Sequence, residues 1–134
     1  MLIKDGPKQR RNFIDKEISQ IIPKYYNLLV NYNKVLYQRN NLLKYKNIDY
    51  SLLDVYDDSL SSYGSEIIIF RKEFIKKLNI VCYDIHKKLT NNKEDLKIYY
   101  KPQILLEEND LKENIQKKLI DKLKSSREND LKTK

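Results

Sequence analysis

The 134-residue chain has no alanine and no tryptophan, one cysteine, one histidine, two glycines and three prolines. Each shortage removes a class of function. Cys82 has no second cysteine to pair with, so no internal disulfide can form. Gly6 and Gly64 are too few for a glycine-rich phosphate loop, so no nucleotide site of the Walker kind and no complete ATPase site is expected. Cys82 and His86 stand four apart on a helix, but two ligands without a second pair make no metal centre. A core cysteine beside a surface histidine is the expected reading. No apolar run approaches the roughly 20 residues that cross a bilayer. The opening MLIKDGPKQRR lacks the apolar centre of a signal peptide. A cytoplasmic protein without membrane contact is expected.

The length suits one domain with a core of its own. What the chain has in excess is charge: 34% of residues are charged, and 27 lysines and arginines against 19 carboxylates leave a net +8. Residue usage rich in Lys, Asn, Ile and Tyr looks like the bias of an AT-rich genome, which could supply that excess without function. The distribution separates the two readings. Residues 1–46 hold ten basic and three acidic side chains, 47–102 nine of each, and 103–134 eight against seven. Codon bias would spread the charge, whereas a basic face that meets phosphates would concentrate it as seen here.

Helix signals dominate the pattern. Asp5-Gly6-Pro7 reads as a helix start, because proline is accepted where the first N–H has no partner to lose. A first helix is predicted from about Pro7 to Ile22. Pro23 repeats the signal and opens a second, Lys24 to about Tyr45, with Tyr25, Leu29, Tyr32, Leu36 and Leu43 at steps of three and four. Arg39 stands on that stripe, where an arginine snorkels to the edge, pairs with a carboxylate or makes a functional contact. Pairing is the preferred reading. After the polar linker Lys46 to Ser51, Tyr56, Leu60, Tyr63, Ile67, Phe70 and Phe74 keep a heptad rhythm that Leu78, Val81, Ile85 and Leu89 extend. These predict one long helix at about 53–89, roughly 55 Å at 1.5 Å per residue, with the second helix laid antiparallel along it. Gly64 inside it predicts a kink or a close helix crossing.

Thr90-Asn91-Asn92 should stop the long helix. Leu96, Ile98 and Tyr100 then alternate with Lys97, Tyr99 and Lys101, which predicts a short strand at about 95–101. A lone strand leaves its backbone groups unsatisfied, so its partner would come from outside the chain. A last helix at about 107–124 is expected to bury Leu111, Ile115, Leu119 and Leu123, and the polar end SSRENDLKTK reads as trailing off. The fold class is mainly α: an antiparallel helical hairpin or bundle arm with one short β-strand. The orphan strand and unfinished ends point to a segment of a larger protein.

Candidate chemistry is thin. Asp57-Asp58 and Glu107-Glu108 are neighbours, which on a helix sets the carboxylates of each pair about 100° apart. They make no acid/base pair, but they suit helix starts, where negative charge favours the dipole. The tyrosines could stack on single-stranded bases, yet Tyr25, Tyr32, Tyr56 and Tyr63 fall on core stripes, and packing is preferred for them. Tyr99 is the least explained. Arg10 and Arg11 carry the sharper signal: one turn inside a helix whose N-terminus is electropositive, with Lys4 and Lys8 near, they suit phosphate oxygens.

The residues around that pair form a pattern. Pro7-Lys8-Gln9-Arg10-Arg11-Asn12-Phe13-Ile14-Asp15 resembles the P-x-x-R-R-x-F-[LI]-D signature of the RecF family of bacterial DNA replication and repair proteins. Tyr32 to Lys44, YNKVLYQRNNLLK, resembles its Y-x-x-V-L-x-Q-R-N-x-L-L-K helix. Leu53 to Leu60, with Gly64, Glu66, Ile67 and Arg71, resembles its L-x-V-W-D-x-x-L…G-x-E-I…R helix, and Leu96 to Tyr100 its following strand. Ser126 to Asp130 resembles the stretch before the family's G-x-T-x-x-G-P-H-R-D-D sequence, which this chain lacks. Asp5-Gly6 departs from the family's usual Gly followed by a small residue, which should affect only the turn.

The resemblance covers essentially the whole chain. It implies the helical region inserted between the two halves of an ABC-type, SMC-like ATPase head, with Walker A before it and the signature motif and Walker B after it. It implies a parent that holds ATP and Mg, is a weak DNA-dependent ATPase, binds double-stranded DNA at gap junctions, dimerises with a second copy, and works with RecR and RecO to load RecA in DNA repair, recombination and replication and in the SOS response. Lys4, Lys8, Arg10 and Arg11 are the DNA-binding candidates, and Pro7, Arg10, Arg11, Phe13, Asp15, Arg39, Asn40, Asp57 and Arg71 the signature positions. Arg39 and Arg71 are expected to hold helices in register. The alternative is a pure interaction module that binds RecR or itself.

Overall fold

A computed structural model describes the backbone of residues 7–90 and 111–132, and the side chains of 11–85, 111–127, 129 and 130. Five helices account for nearly all of it: α1 (Pro7–Ile21), α2 (Pro23–Leu42), α3 (Tyr50–Thr90), α4 (Lys112–Ser125) and α5 (Arg127–Lys132). No strand occurs among the described residues. The strand expected at 95–101, and the stretch 107–110 of the last expected helix, lie outside them. No helix among the described residues is long and apolar enough to cross a membrane.

Local chemistry sets the boundaries. Ile22 precedes a proline, which disfavours helical backbone at that residue, and it adopts φ −122° and ψ 99°. The chain breaks there, and Pro23 opens α2 without sacrificing a bond. Asp49 caps α3: its carboxylate accepts the Leu52 N–H at 3.1 Å while its carbonyl accepts that of Leu53 at 3.0 Å. At the start of α4, the Asn114 side chain accepts the Leu111 N–H at 3.3 Å. Leu111 therefore precedes the helix and is 65% exposed, not buried as its spacing suggested.

The frame is an antiparallel α2–α3 hairpin. Tyr25 packs edge-on to Phe70, Arg39 pairs with Asp57, and Leu42 packs with Leu53, so numbers rise along one helix as they fall along the other. The seam runs through Leu53, Asp57, Leu60, Gly64 and Ile67 of α3, a three-and-four rhythm that shares Leu60 and Ile67 with the series read from sequence, while Tyr56, Tyr63, Phe70 and Phe74 of that series pack half-buried beside it. Both α2 and α4 pack on α3, and α4 is antiparallel to it, with Ile115 packed on Ile68, Leu119 against Gly64 and, just beyond α4, Arg127 bonded to Asp57. That second partner buries a second row, Ser61, Ser65 and Ile68. The Ser61 and Ser65 hydroxyls donate to carbonyls three residues back in their own helix, both at 2.8 Å, so small polar side chains sit in the core with their donors satisfied.

Helix α1 folds over the open end of the hairpin, where Ile18, Tyr25, Leu28 and Ile67 form the main core. A shorter cluster of Leu42, Leu43 and Leu53 closes the loop end. Beyond Ile75, α3 outruns α2, which begins at Pro23 opposite residues near 72. The heptad pattern does not become core there: Val81 and Ile85 are each 53% exposed.

Gly64 lies inside the continuous helix α3 and marks a close crossing. A Cβ there would lie 3.1 Å from Leu119 Cδ1 and 3.4 Å from the Tyr32 ring. The Leu119 methyl can shift, and alanine gains about 1 kcal/mol of helix propensity over glycine. Gly64→Ala is therefore expected to change stability by less than about 1 kcal/mol in chemical denaturation, whereas Gly64→Leu should destabilise by about 1–3 kcal/mol through overpacking. Equal tolerance of both would contradict the crossing.

Candidate functional site

Four of the polar signature residues, Asp15, Arg39, Asp57 and Arg71, converge on two ionic clusters set about 21 Å apart along α3, the rise of the 14 residues between Asp57 and Arg71. Each cluster joins α2, α3 and one helix nearer a chain end.

The first lies at the open end of the hairpin. Arg71 of α3 donates from Nε to Asp15 Oδ1 at 2.9 Å and from Nη2 to Oδ2 at 2.7 Å, a two-pronged pair reaching α1. Such a fork fixes orientation as well as charge. Tyr25 of α2 completes the triangle: its hydroxyl donates to Asp15 Oδ1, and Arg71 Nε lies 3.1 Å from its oxygen. Burial pushes the Tyr25 phenol well above its ordinary value, with the nearby Arg71 charge opposing and Asp15 adding to the rise. Burial also raises Tyr32, against the opposing charges of Arg71 and Arg39.

The second cluster is deeper. Asp57 is 0% exposed and accepts three donors: Arg39 Nε on Oδ1 at 2.6 Å, and Arg127 Nε and Nη2 on Oδ2 at 3.1 and 2.7 Å. Arg39, 3% exposed, reaches on through Nη1 to Asp130 Oδ2 at 3.0 Å. Arg127 Nη2 also bonds Asp54 Oδ1 at 2.6 Å, and the Ser126 hydroxyl lies 3.1 Å from Asp130 Oδ2. Two arginines, from α2 and α5, thus face three carboxylates, two from α3 and one from α5. The hydrogen bond from Arg127 holds the Asp54 carboxyl below its usual range. Burial works against the Arg127 charge, but its bonds to Asp54 and Asp57 carry its pKa above the ordinary arginine value. Arg39 Nη2 is buried and has no hydrogen-bond partner among the described residues. An isolated carboxylate here would lose several kcal/mol of hydration, so the two guanidinium groups are what make its burial tolerable.

Two sequence expectations change. Asp57 is not a helix-start charge: α3 begins at Tyr50 and has no acidic residue in its first turn. Asp58 beside it is exposed, and Glu107 and Glu108 lie outside the described residues. Nor does the chain trail off after Leu123, because Arg127 and Asp130 sit on α5 and enter the cluster. Two signals for this were in the sequence. Arg39 on an apolar stripe demanded a buried carboxylate, and Asp57, Leu60, Gly64 and Ile67 share one helical face. Arg127 and Asp130, three apart, carry opposite charges on one side of a helix.

The remaining candidates do not converge. Pro7 opens α1, Lys8 and Arg10 follow in its first turns, and Lys4 lies outside the described residues. Arg11 is exposed, Phe13 half-buried and Asn40 exposed. Cys82 is half-buried, and the His86 side chain is outside the description. No group of three or more metal-ligating side chains occurs among the described residues.

Comparison with known proteins gives the arrangement a context. No protein-family model matches the chain. It is 53% identical over 133 residues, 99% of its length, to the DNA replication and repair protein RecF of Clostridioides difficile, strain 630. It is 42% identical over 93% of its length to the RecF of Alkaliphilus oremlandii. The chain spans about a third of the curated relatives it matches, 36% and 34% of these two. Among solved structures, RecF-ATP, a recombination mediator protein in the RecFOR pathway, superposes with a TM-score of 0.90 at 34% identity, over 98% of this chain and 36% of that one. RecF-ATPrS superposes with a TM-score of 0.89 at the same identity and coverage.

Two outcomes follow. Arg127→Ala removes two donors from a fully buried carboxylate and should destabilise the chain by about 1–3 kcal/mol in a urea melt. A change below about 0.5 kcal/mol would mean that α5 is not anchored through Asp57. Tyr25 and Tyr32 have folded pKa values raised above the unfolded value near 10, so the unfolded chain loses those protons first and stability falls as pH rises above 10. Tyr25→Phe should flatten that alkaline decline in melts between pH 9 and about 11. A decline of unchanged steepness would contradict it.

Proposed function

The chain belongs to the RecF family of DNA replication and repair proteins, and on that premise we propose that it is the helical arm inserted between the two halves of a RecF-type ATPase head. The parent would hold and hydrolyse ATP with Mg in segments outside this chain, bind double-stranded DNA at gap junctions, pair with a second copy, and act with RecR and RecO to load RecA. The arm would contribute no catalytic group. It would act as a rigid lever that assists DNA binding or ATP-dependent dimerisation.

One observation carries this reading: Asp15, Arg39, Asp57 and Arg71 are all consumed in bonds between helices. Residues engaged in that way hold a shape and are not free to contact a ligand. Arg10 and Arg11 near the start of α1 are left as the signature cations for phosphate, and the exposure of Arg11 supports that role. With the segment ends docked by Asp15 on one side and Arg127 and Asp130 on the other, a displacement of the head would be transmitted to the hairpin as a whole.

Changing Arg10 and Arg11 together to Ala in the full-length protein should weaken duplex binding and lower the slope of log affinity against log salt by about two. Anisotropy titrations at several salt concentrations read it directly. An unchanged affinity and slope would leave the two arginines a structural role.

A further inference from the structure

The side of α2 that faces away from the core is built unlike that of α4. Tyr25, Leu28, Arg39 and Leu42 are the buried residues of α2. At about 100° per residue, the positions opposite them are Tyr26, Val30 and Tyr37, which fall within about 40° of one another around the axis and along about 16 Å of its length. They are 57%, 46% and 70% exposed. The corresponding side of α4 carries Glu113, Lys117, Asp121 and Lys124, all exposed, which is the composition of a solvated helix face.

Apolar residues scattered singly over a surface are ordinary, but two tyrosines and a valine in one row are not scattered. Steps of i, i+4 and i+11 on one helix face fit the anchors of a helix that lies in a groove, with Asn33 at the intervening i+7 turn. Tyrosine suits that duty, because its ring gives a large contact area at little entropic cost while its hydroxyl stays hydrated in the free surface. Exposed Asn27, Asn33 and Lys34 border the row, a polar rim around an apolar centre.

Charge selects the occupant. Between Glu17 and Asp49 the chain has no carboxylate. Lys34 stands about 40° around the helix from Val30. Lys24 is exposed at one end of the face, and Lys44 and Lys46 at the other. None of the four makes an ion pair among the described residues, and the one arginine of the stretch, Arg39, is turned inward. These lysines form no row, so a nucleic-acid backbone has no line of cations to follow here. A second copy fits no better, because its own α2 would bring amides and lysines to this rim and no carboxylate. A groove that is apolar along its floor and acidic at its edge complements both parts of the face.

We propose that the Tyr26, Val30 and Tyr37 face of α2 docks into an apolar groove edged with carboxylates on another protein, with Lys34 at the acidic edge. The surface uses neither Arg10 nor Arg11, so it can stand or fall separately from the salt slope expected of them.

A photo-crosslinking residue, p-benzoylphenylalanine, placed at position 26 or 37 of the full-length protein in its own cells tests the face, with the exposed position 117 of α4 as control. Both α2 positions should form an adduct with one and the same other protein, through a peptide that holds apolar residues and Asp or Glu, while position 117 should not. That protein, once purified, should bind the variant Tyr26→Gln with Tyr37→Gln at least about tenfold more weakly than the wild type, and Tyr26→Phe with Tyr37→Phe within about threefold of it. Lys34→Glu should also weaken binding, and a carboxylate-to-lysine change in the crosslinked peptide should restore it. Both rings are exposed, so the glutamine variant should keep the wild-type melting transition. An adduct to a second copy, to another segment of the same polypeptide or to nucleic acid, no adduct above that of position 117, or unweakened binding by the glutamine variant overturns the proposal.

Discussion

The buried pair of Arg39 and Asp57 is the constraint on which the rest of the arm depends. Leucine at both positions would pack, but it would also pack after a slip of one heptad between α2 and α3. A guanidinium and a carboxylate do not tolerate that freedom. Any other register leaves two desolvated charges without partners, and breaking one such buried pair costs about 3–5 kcal/mol. The pair therefore contributes more to choosing one alignment than to stability over an apolar alternative, in the way that a single polar group fixes register in a coiled coil.

The same logic repeats 14 residues along α3. Arg71 with Asp15 and Tyr25 aligns α1 on the hairpin, while Arg127 and Asp130 align α5 on Arg39 and Asp57. Apolar contacts between the two clusters supply the bulk of the burial, and the small residues Ser61, Gly64 and Ser65 let α4 approach. The product is a helical bundle in which α2 and α4 pack on adjacent faces of α3 and both reach Gly64, with α1 and α5 fastened by ions. A bundle of that kind suits the transmission of movement, which is the role proposed for it within a RecF-type protein.

Much of this could be read before any coordinates. Proline at positions 7 and 23 and the three-and-four spacing gave α1, α2 and the long α3, because these signals are local. The arginine on an apolar stripe announced a buried partner. The identity of that partner was not legible, since Asp57 beside Asp58 looks like a helix-start pair until α3 is seen to begin seven residues earlier, where Asp49 caps it. Val81 and Ile85 keep the heptad rhythm but lie beyond the end of α2, and periodicity carries no information about how far a partner helix extends. The polar tail hides its role for a related reason. Arg127 and Asp130 are hydrophilic in isolation and become half-buried only through charges contributed 70 and 91 residues earlier.

A double-mutant cycle on Arg39 and Asp57 tests the central claim most directly. Arg39→Met, Asp57→Leu and the pair together would be compared by urea denaturation. Each single change breaks the Arg39–Asp57 bond while Arg127 still faces Asp57 and Asp130 still faces Arg39, and should destabilise by about 1–3 kcal/mol, while the double change should recover at least about 1 kcal/mol of the summed loss. Additive losses, with no recovery in the double variant, would show that the two charges do not depend on each other and would contradict the account.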